Sequence, residues 1–145
     1  MPTHRVIVQD LLAPEEYEAI DRFCREHGGP NLLRDIAAFL NARFGLVLVL
    51  DPDIVRGFST DSSNLPGQAD ALCRPQSERE CAIIFRTCHS AGIPFTISAG
   101  RSNLTGSATP AGGVVISTTQ MLTPPVTVDV EDMTARSPVG IILEN

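Results

Sequence analysis

The chain has 145 residues, a length that suits a single domain with a sizeable buried core. Its hydrophobic content is 43% and its charged content 19%, both typical of globular proteins. The formal net charge is −6 without any block of like charge, which argues against a nucleic-acid-binding protein, because that function needs a basic surface.

Lysine is absent, so every basic residue apart from histidine is an arginine. A Walker A phosphate loop and a pyridoxal-phosphate Schiff base both need a lysine, and both sites are therefore excluded for this chain. The dinucleotide fingerprint G-x-G-x-x-G is also absent. A nicotinamide-type Rossmann site consequently has no support.

The cysteine pattern and the hydropathy bear on the cellular compartment. We interpret Cys24, Cys73, Cys81 and Cys88 as small buried hydrophobic residues in preference to metal ligands or disulfide partners, because they form no C-x-x-C pair. The longest apolar run, residues 46–50, is far too short to cross a membrane, and no signal peptide is visible. We therefore expect a cytoplasmic protein with no transmembrane segment.

Residues 1–57 predict an arm followed by two helices. The first helix, over residues 14–27, has proline and two acids in its first turn, and its buried stripe consists of Tyr17, Ile20 and Cys24. The second helix, over residues 31–44, has Asn31 as its predicted N-cap and ends at Gly45.

The stretch after the second helix is predicted to be extended and then irregular. Residues 46–50 are apolar and partly β-branched, which favours a short strand, with a helical end as the alternative. Residues 51–53 predict a turn, and the polar residues 58–70 predict a loop. We do not interpret Asp61 in this loop as a metal ligand, because its hydroxyl and amide neighbours are poor ligands without further carboxylates.

A short strand over residues 71–73 precedes a third helix over residues 77–91. Ser77 and Glu80 have the spacing of a capping box, in which each side chain bonds the backbone N–H of the other residue. The predicted buried face consists of Cys81, Ile84, Phe85 and Cys88. His89 lies beside this stripe, and we interpret it as an exposed residue near the helix end and not as a general base.

The most informative stretch, residues 93–107, predicts a strand over residues 95–97 that leads into a loop of small residues. Small residues let the backbone approach a ligand closely, and successive backbone N–H groups can form a concave anion site. An ordinary surface turn is the alternative, because Gly and Ser are also common turn residues. Further strands are predicted over residues 114–117 and 126–129.

The third helix, this strand and the loop together resemble a known family. Residues 74–121 resemble the FAD-binding domain of the p-cresol methylhydroxylase and vanillyl-alcohol oxidase superfamily. The most similar branch is that of the FAD-linked oxidases, which includes glycolate oxidase and D-lactate dehydrogenase. Residues 93–110 match the family's segment without a gap, and the resemblance extends over residues 58–145. It implies an α+β fold with residues 1–57 as a helical N-terminal segment and residues 58–145 as the first, incomplete part of the FAD-binding domain.

The resemblance also implies a cofactor site for FAD, bound without a covalent link. In this family the backbone of the loop binds the pyrophosphate, and a further glycine lies near the flavin. The corresponding residues in this chain are Ala99, Gly100, Arg101, Ser102, Asn103, Leu104, Gly106, Ser107 and Gly140.

Three departures from the family pattern accompany this resemblance. Ala99 and Arg101 replace two loop glycines, and Arg101 occupies a position where some relatives carry a flavin-linking histidine. Its side chain either contacts phosphate or blocks it. The family's FAD domain also continues well beyond the last residue of this chain. We therefore expect a fragment, a truncated gene product or a protein completed by a second chain.

Two functions follow from the resemblance. The first is an FAD-dependent oxidoreductase that oxidises a small-molecule 2-hydroxy acid such as glycolate or D-lactate, represented by a part that is inactive alone. The second is a non-catalytic remnant or assembly module that keeps the fold without retaining flavin. The sequence identifies no catalytic residue and no metal site.

Overall fold

A four-stranded sheet lies at the centre of the computed structural model, which describes residues 11–141. In spatial order, its strands are β1 (Leu48–Val49), β2 (Ala71–Cys73), β4 (Val114–Ser117) and β3 (Phe95–Ser98). β1 is antiparallel to β2, whereas β2, β4 and β3 run parallel, with Val114 opposite both Ala71 and Phe95. The carboxyl ends of the three parallel strands therefore lie at one edge of the sheet.

Helices cover this sheet and a hairpin follows it. The helices are α1 (Pro14–Glu26), α2 (Leu32–Phe44), α3 (Pro52–Arg56) and α4 (Glu78–Ala91), and a 3₁₀ turn spans Thr118–Gln120. The hairpin consists of β5 (Thr127–Asp129) and β6 (Thr134–Arg136). These elements confirm the predicted α+β class, and the bounds of α1, α2, α4 and β2–β5 agree with the predictions within one residue.

The predicted turn over residues 51–53 is wrong, because these residues begin the short helix α3. Asp51 is its N-cap, with Oδ1 accepting a hydrogen bond of 2.9 Å from the backbone N–H of Asp53. Pro52 occupies the first helical position, where its missing N–H has no cost. An Asp-Pro pair is compatible with both a turn and the start of a helix. Here the helix is favoured because it buries Val55 against the sheet.

Asn31 is the N-cap of α2 as predicted, but the side-chain hydrogen bond expected of a cap is not formed within the described residues. Asn31 occupies the N-cap position with φ −96° and ψ 2°, but its exposed side chain makes no capping hydrogen bond to any described residue. The turn before the helix is closed by the backbone instead, through a 3.2 Å bond from the N–H of Leu32 to the carbonyl of Gly29. A backbone turn thus replaces the expected Asn cap.

Half of the predicted capping box at α4 is confirmed. The Oγ of Ser77 accepts a hydrogen bond of 3.2 Å from the backbone N–H of Glu80. The reciprocal bond differs from the prediction, because Oε2 of Glu80 accepts from the N–H of Gln76 at 2.7 Å and not from Ser77. The Glu80 carboxylate therefore bonds the residue before the N-cap, Gln76, and holds the segment that leads into α4.

The two faces of the sheet bury different sets of residues. One face contributes Ala71, Cys73, Val114 and Ile116 to a core formed with α1, α2 and α4. The opposite face packs Leu72 and Val115 against Val55 and the half-buried Phe58. Successive strand residues alternate between these cores, as the period of two requires.

Helix α4 lies between the sheet and α1, so its buried surface is wider than the predicted stripe. Ile84 and Cys88 are buried as predicted, while Cys81 and Phe85 are only half-buried. Ala82, Ile83 and Thr87 are buried in addition. A helix covered on two sides buries more than one stripe of residues.

Polar contacts fix α1 against α4. Arg86 forms a two-fold hydrogen-bonded ion pair with Asp21, to which Ser90 also donates at 2.7 Å. The Arg86 guanidinium is the main reason that the pKa of Asp21 lies below its ordinary value. Arg86 also lies 5.3 Å from the centre of the Tyr17 ring. This geometry orients the N-terminal helix on the sheet.

The N-terminal segment shares a core with the rest of the described chain. Ile20, Ile36, Leu40 and Leu48 belong to the same hydrophobic cluster as the residues of β2, β4 and α4. The division between residues 1–57 and 58–145 remains a prediction. Within residues 11–141, none of the helices combines the length and the apolar character that a membrane span requires.

The four cysteines all lie within the described residues and are free thiols. Cys73 and Cys88 are buried, as predicted, whereas Cys24 and Cys81 are half-buried. Burial raises the pKa of the Cys73 and Cys88 thiols to about 12. Among residues 11–141, no group of three or more His, Cys, Asp or Glu side chains is placed to hold a metal ion.

Candidate functional site

The predicted loop begins at the carboxyl end of β3, at the edge where the parallel strands end. Arg74 follows β2 and Thr118 follows β4 at the same edge. In open sheets of parallel strands, ligands bind beyond these carboxyl ends. The position of residues 99–107 is therefore the one that a ligand site in such a sheet requires.

The backbone of the loop presents donors that the fold does not use. Among residues 11–141, no acceptor is bonded to the backbone N–H groups of residues 100–107. A Cβ atom added at Gly100 would meet no atom of the described chain within 4 Å. Unsatisfied backbone N–H groups beside open space are the chemistry of an anion site.

Arg101 has a strained backbone and a side chain that turns back towards the protein. Its φ of 55° lies in the left-handed region, which is uncommon for a residue other than glycine. The guanidinium donates to the carbonyls of Gly57 and Thr60 and lies 4.9 Å from the centre of the Phe58 ring. The Arg101 carbonyl accepts bonds of 3.0 Å from both the backbone N–H and the hydroxyl of Ser62.

Asp61 connects the middle and the far end of the loop to the preceding segment. Its carboxylate accepts bonds from the backbone N–H and hydroxyl of Ser63, from Nδ2 of Asn103 at 2.7 Å and from the N–H of Ala108 at 3.2 Å. The residue is only 8% exposed. The bond from the Ser63 hydroxyl is the largest cause, and the other donors further causes, of a pKa of Asp61 well below its ordinary value.

The other predicted loop residues differ in exposure. Ala99, Ser102, Leu104 and Ser107 are exposed, and Leu104 remains 77% accessible. The Ser107 hydroxyl accepts from Nδ2 of Asn103 at 3.1 Å, so Asn103 bonds both Asp61 and the far end of the loop. The loop is thus held by its polar side chains while most of its backbone stays accessible.

Gly106 and Gly140 are glycines for different reasons. Gly106 has a φ of 75°, which strains any other residue. A Cβ atom at the buried Gly140 would lie 2.5 Å from the Thr118 carbonyl oxygen and 3.0 Å from that of Met121. Gly140 is therefore required by close packing on the turn after β4.

The turn Thr118–Gln120 connects the two parts of the predicted site. The Thr118 hydroxyl donates to the carbonyl of Ser98 at 3.4 Å, immediately before the loop. On its other side the turn contacts Gly140, whose N–H donates to the Met121 carbonyl at 3.0 Å. The structure thus places the start of the loop and Gly140 on either side of one turn.

Ser98 carries a buried hydroxyl without a partner. The residue is 2% exposed, and its Oγ has no hydrogen-bond partner within residues 11–141. A buried hydroxyl left unbonded is costly, so such groups in native proteins call for an explanation. Because Ser98 lies directly before the loop, a ligand bound at the loop is a suitable hydrogen-bond partner for this hydroxyl.

A separate groove of about 830 Å³ lies away from the loop. It is bordered by the first turn of α4, by Met121 and Pro124 and by residues 136–139. Of the predicted site, only Gly140 is adjacent to this groove, next to its lining residue Val139. The groove and the loop are therefore distinct features.

Sequence reasoning missed the segment that supports the loop. Asp61, Phe58 and Ser62 all contact it, although none was a predicted site residue. The Asp61-Ser62-Ser63 run does carry a local signal, because an aspartate that accepts from the N–H two residues later is a recognised turn. The contact with Asn103 joins residues 42 positions apart and leaves no local signal.

Comparison with known families covers the segment that carries this loop. The FAD binding domain family matches residues 69–145, which is more than half of the chain and includes the whole loop. The chain is also similar to the solved structure of a xylooligosaccharide oxidase from Myceliophthora thermophila C1 in complex with xylobiose, with a TM-score of 0.49 and 17% identity. That similarity covers 84% of this chain and 23% of the oxidase chain, so the present chain corresponds to about a quarter of it. No curated protein matches. The family match over the loop and both of its flanking strands assigns this chain to the FAD binding domains of the FAD-linked oxidases, whose cofactor is FAD.

Proposed function

We propose that this chain contributes the pyrophosphate-binding loop of an FAD-dependent oxidoreductase that oxidises a 2-hydroxy acid such as glycolate or D-lactate. The observation that carries the proposal is the run of unused backbone N–H groups over residues 100–107, within the segment that the FAD binding domain family matches. Flavin supplies the redox chemistry when bound, and the protein holds and orients it.

The residues present fit a pyrophosphate group. Backbone donors to an anion form charge-assisted hydrogen bonds, which are stronger than neutral ones. The open space at Gly100 lets phosphate oxygens approach the main chain. The buried Ser98 hydroxyl supplies one further donor at the base of the loop. We assign the cofactor site to residues 99–104, 106 and 107, with Gly140 on the far side of the Thr118–Gln120 turn.

Binding of FAD in this site is non-covalent. Arg101 occupies the position where some relatives carry a flavin-linking histidine, and a guanidinium forms no such link. Its side chain lies against Gly57 and Phe58, so it leaves the outer surface of the loop open. A dianionic pyrophosphate can therefore approach the donors of the loop without displacing Arg101.

The substrate class rests on the sequence resemblance to the branch of glycolate oxidase and D-lactate dehydrogenase. In the family that the sequence resembles, substrate binding involves further polypeptide, and we propose the same arrangement here, C-terminal to these residues or on a second chain. We place the protein in the cytoplasm, because its four free thiols suit a reducing compartment.

Purification followed by flavin analysis tests the cofactor. The protein with its additional polypeptide should be yellow and should release FAD on acid precipitation, since nothing links the flavin covalently. Turnover with glycolate, D-lactate and xylobiose, measured with a dye as electron acceptor, then tests the substrate. Oxidation of glycolate or D-lactate supports the proposal, whereas oxidation of xylobiose alone overturns the 2-hydroxy acid assignment.

Residues 1–145 by themselves should bind FAD weakly and show no turnover. They supply phosphate contacts that face water, each worth about 1–3 kcal/mol, whereas association costs about 4–15 kcal/mol in lost freedom. A fluorescence titration of FAD with this chain should therefore give a dissociation constant above about 1 μM. Tighter binding would show that these residues form a complete site. A colourless, inactive protein even with its additional polypeptide would favour the non-catalytic module instead.

A further inference from the structure

The segment of residues 57–63 lies outside the predicted cofactor site but bonds its loop from two directions. On one side, Arg101 donates to the carbonyls of Gly57 and Thr60, and Ser62 donates twice to the Arg101 carbonyl. On the other side, the Asp61 carboxylate accepts from Asn103 and from the N–H of Ala108. These two sets of hydrogen bonds therefore hold the stretch from residue 101 to residue 108 against the segment of residues 57–63.

These bonds use the polar groups of the loop that point inward and leave the backbone donors free. The Asp61 carboxylate is engaged by four donors, and the Arg101 guanidinium by two carbonyls and the face of Phe58. None of these contacts uses a backbone N–H of residues 100–107. The segment of residues 57–63 therefore fixes the loop without competing for the anion.

The backbone of Arg101 indicates how strongly the loop is held. A left-handed arginine is unfavourable alone and persists only where surrounding contacts determine it. Here the side chain and the carbonyl of Arg101 are both bonded to the same segment. Where relatives use glycine to reach such a conformation, this chain uses an anchored arginine.

We propose that Asp61 and Arg101 are positioning residues, which hold residues 101–108 in the anion-binding conformation before FAD arrives. An ordered loop loses less conformational entropy on binding, so its affinity for the anion is higher. The significance of the anchor for FAD rests on the proposed function. The anchor itself is a property of the free protein and can be tested without any ligand.

Hydrogen exchange of the free protein, measured by NMR, is the direct test. The N–H of Ser62 reports on the bond to Arg101, and the N–H of Ala108 reports on the bond to Asp61. In Arg101→Gly and Asp61→Ala, exchange at both sites should accelerate at least tenfold, with amides in α4 unchanged. Arg101→Gly removes the side-chain contacts without adding backbone strain, because glycine adopts a positive φ freely.

Two further variants complete the comparison. Arg101→Lys keeps a cationic donor within reach of the Gly57 carbonyl and should restore part of the protection. Arg56→Gln is the matched control, because Arg56 is an exposed arginine of the same region whose side chain bonds only Asp53 among the described residues. This control should exchange like the unaltered protein. Unchanged exchange at Ser62 and Ala108 in both Arg101→Gly and Asp61→Ala would overturn the anchor.

A titration with FAD at up to millimolar concentration separates the anchor from a direct phosphate contact. If Arg101 acts as an anchor, Arg101→Gly weakens FAD binding about tenfold or more and also accelerates exchange in the free protein. If FAD binding weakens while exchange stays unchanged, Arg101 contacts the phosphate and the anchor is wrong. Protected amides in a protein that binds no FAD, even with its additional polypeptide, would refute the proposed function and leave the anchor intact.

Discussion

The carboxylate of Asp61 accepts a hydrogen bond of 2.7 Å from the side-chain amide of Asn103, although 42 positions separate the two residues. This bond joins the loop after α3 to the loop after β3. Asp61 accepts further bonds from Ser63 and Ala108, so one buried carboxylate organises two surface loops. A single ionisable group thus has a structural effect at the middle and at the far end of the loop.

Acidification should loosen the loop through Asp61. Its hydrogen bonds, that from the Ser63 hydroxyl first, lower the pKa in the folded protein, so the folded state favours the ionised form. The resulting stabilisation is complete above the unfolded pKa of about 3.9 and is lost as the pH falls towards the folded value. Melting temperatures of the unaltered protein and of Asp61→Asn should therefore differ most at about pH 7, and the difference should shrink progressively as the pH falls below about 3.9.

The comparison with Asp61→Asn is needed because other carboxylates respond to acid as well. The pKa values of Glu16 and Asp21 are also lowered, chiefly by the N–H of Ala13 and by Arg86 respectively. Both groups occur unchanged in the variant, and their effects cancel in the difference between the two proteins. A difference in melting temperature that stays constant from neutral to acidic pH would contradict the role of Asp61.

Replacing Gly100 by Val should abolish FAD binding and leave the fold intact. A Cβ atom at this position meets no described atom within 4 Å, so the unfolding temperature should stay within about 1–2 °C, but the valine occupies the space through which phosphate approaches. Gly140→Val is the contrasting variant, because its Cβ would meet backbone oxygens of Thr118 and Met121 and should prevent stable folding. Thermal melts and flavin titrations of both variants measure this. Unchanged FAD binding by Gly100→Val would show that the loop is not part of the cofactor site.

Loss of the Ser77 cap should destabilise the protein by about 1 kcal/mol. The hydroxyl satisfies the N–H of Glu80 in the first turn of α4, and alanine leaves that donor to water. Chemical denaturation of Ser77→Ala measures the change. Ser137→Ala is a suitable control, because this exposed serine forms no hydrogen bond within the described residues. Equal denaturation midpoints for Ser77→Ala and Ser137→Ala would show that the Ser77 hydroxyl does not stabilise α4.

The four thiols should differ in reactivity. Cys73 and Cys88 are buried and have pKa values raised to about 12, so thiolate is scarce at neutral pH and reagents lack access. Cys24 and Cys81 are half-buried, and burial raises their pKa values as well. Labelling with a thiol reagent at about pH 8 should therefore modify Cys24 and Cys81 slowly and the other two only on unfolding. Fast labelling of Cys73 in the folded protein would contradict its place in the core.

The sequence was sufficient wherever local chemistry decides the structure. Helix α4 was predicted within one residue, because a capping serine, a helical apolar period and a terminal glycine all mark it. The same local signals failed at residues 51–53, because an Asp-Pro pair begins both turns and helices. There the outcome depends on the burial of Val55 against Leu72 and Val115, which only the folded sheet provides.

The candidate site was predictable in position but not in its support. Small residues after a strand indicated an accessible loop, and the structure places residues 99–107 in that loop at the carboxyl edge of the sheet. The left-handed conformation falls on Arg101 and not on its neighbour Gly100, since contacts with Gly57 and Ser62 outweigh the intrinsic preference. Such contacts join residues far apart in the chain, and the local sequence does not indicate them.

The strand order has a consequence for how the chain folds during synthesis. β4 lies between β2 and β3, so neither of these strands has a parallel partner until Val114–Ser117 leaves the ribosome. The intervening α4 can form early from local contacts, whereas parallel pairing over such separations is slow. Residues 99–107 connect β3 to β4, so the parallel strands on both sides of this loop are paired only after β4 has been made. We therefore expect flavin to bind after the sheet has assembled and not to act as a template for the nascent domain.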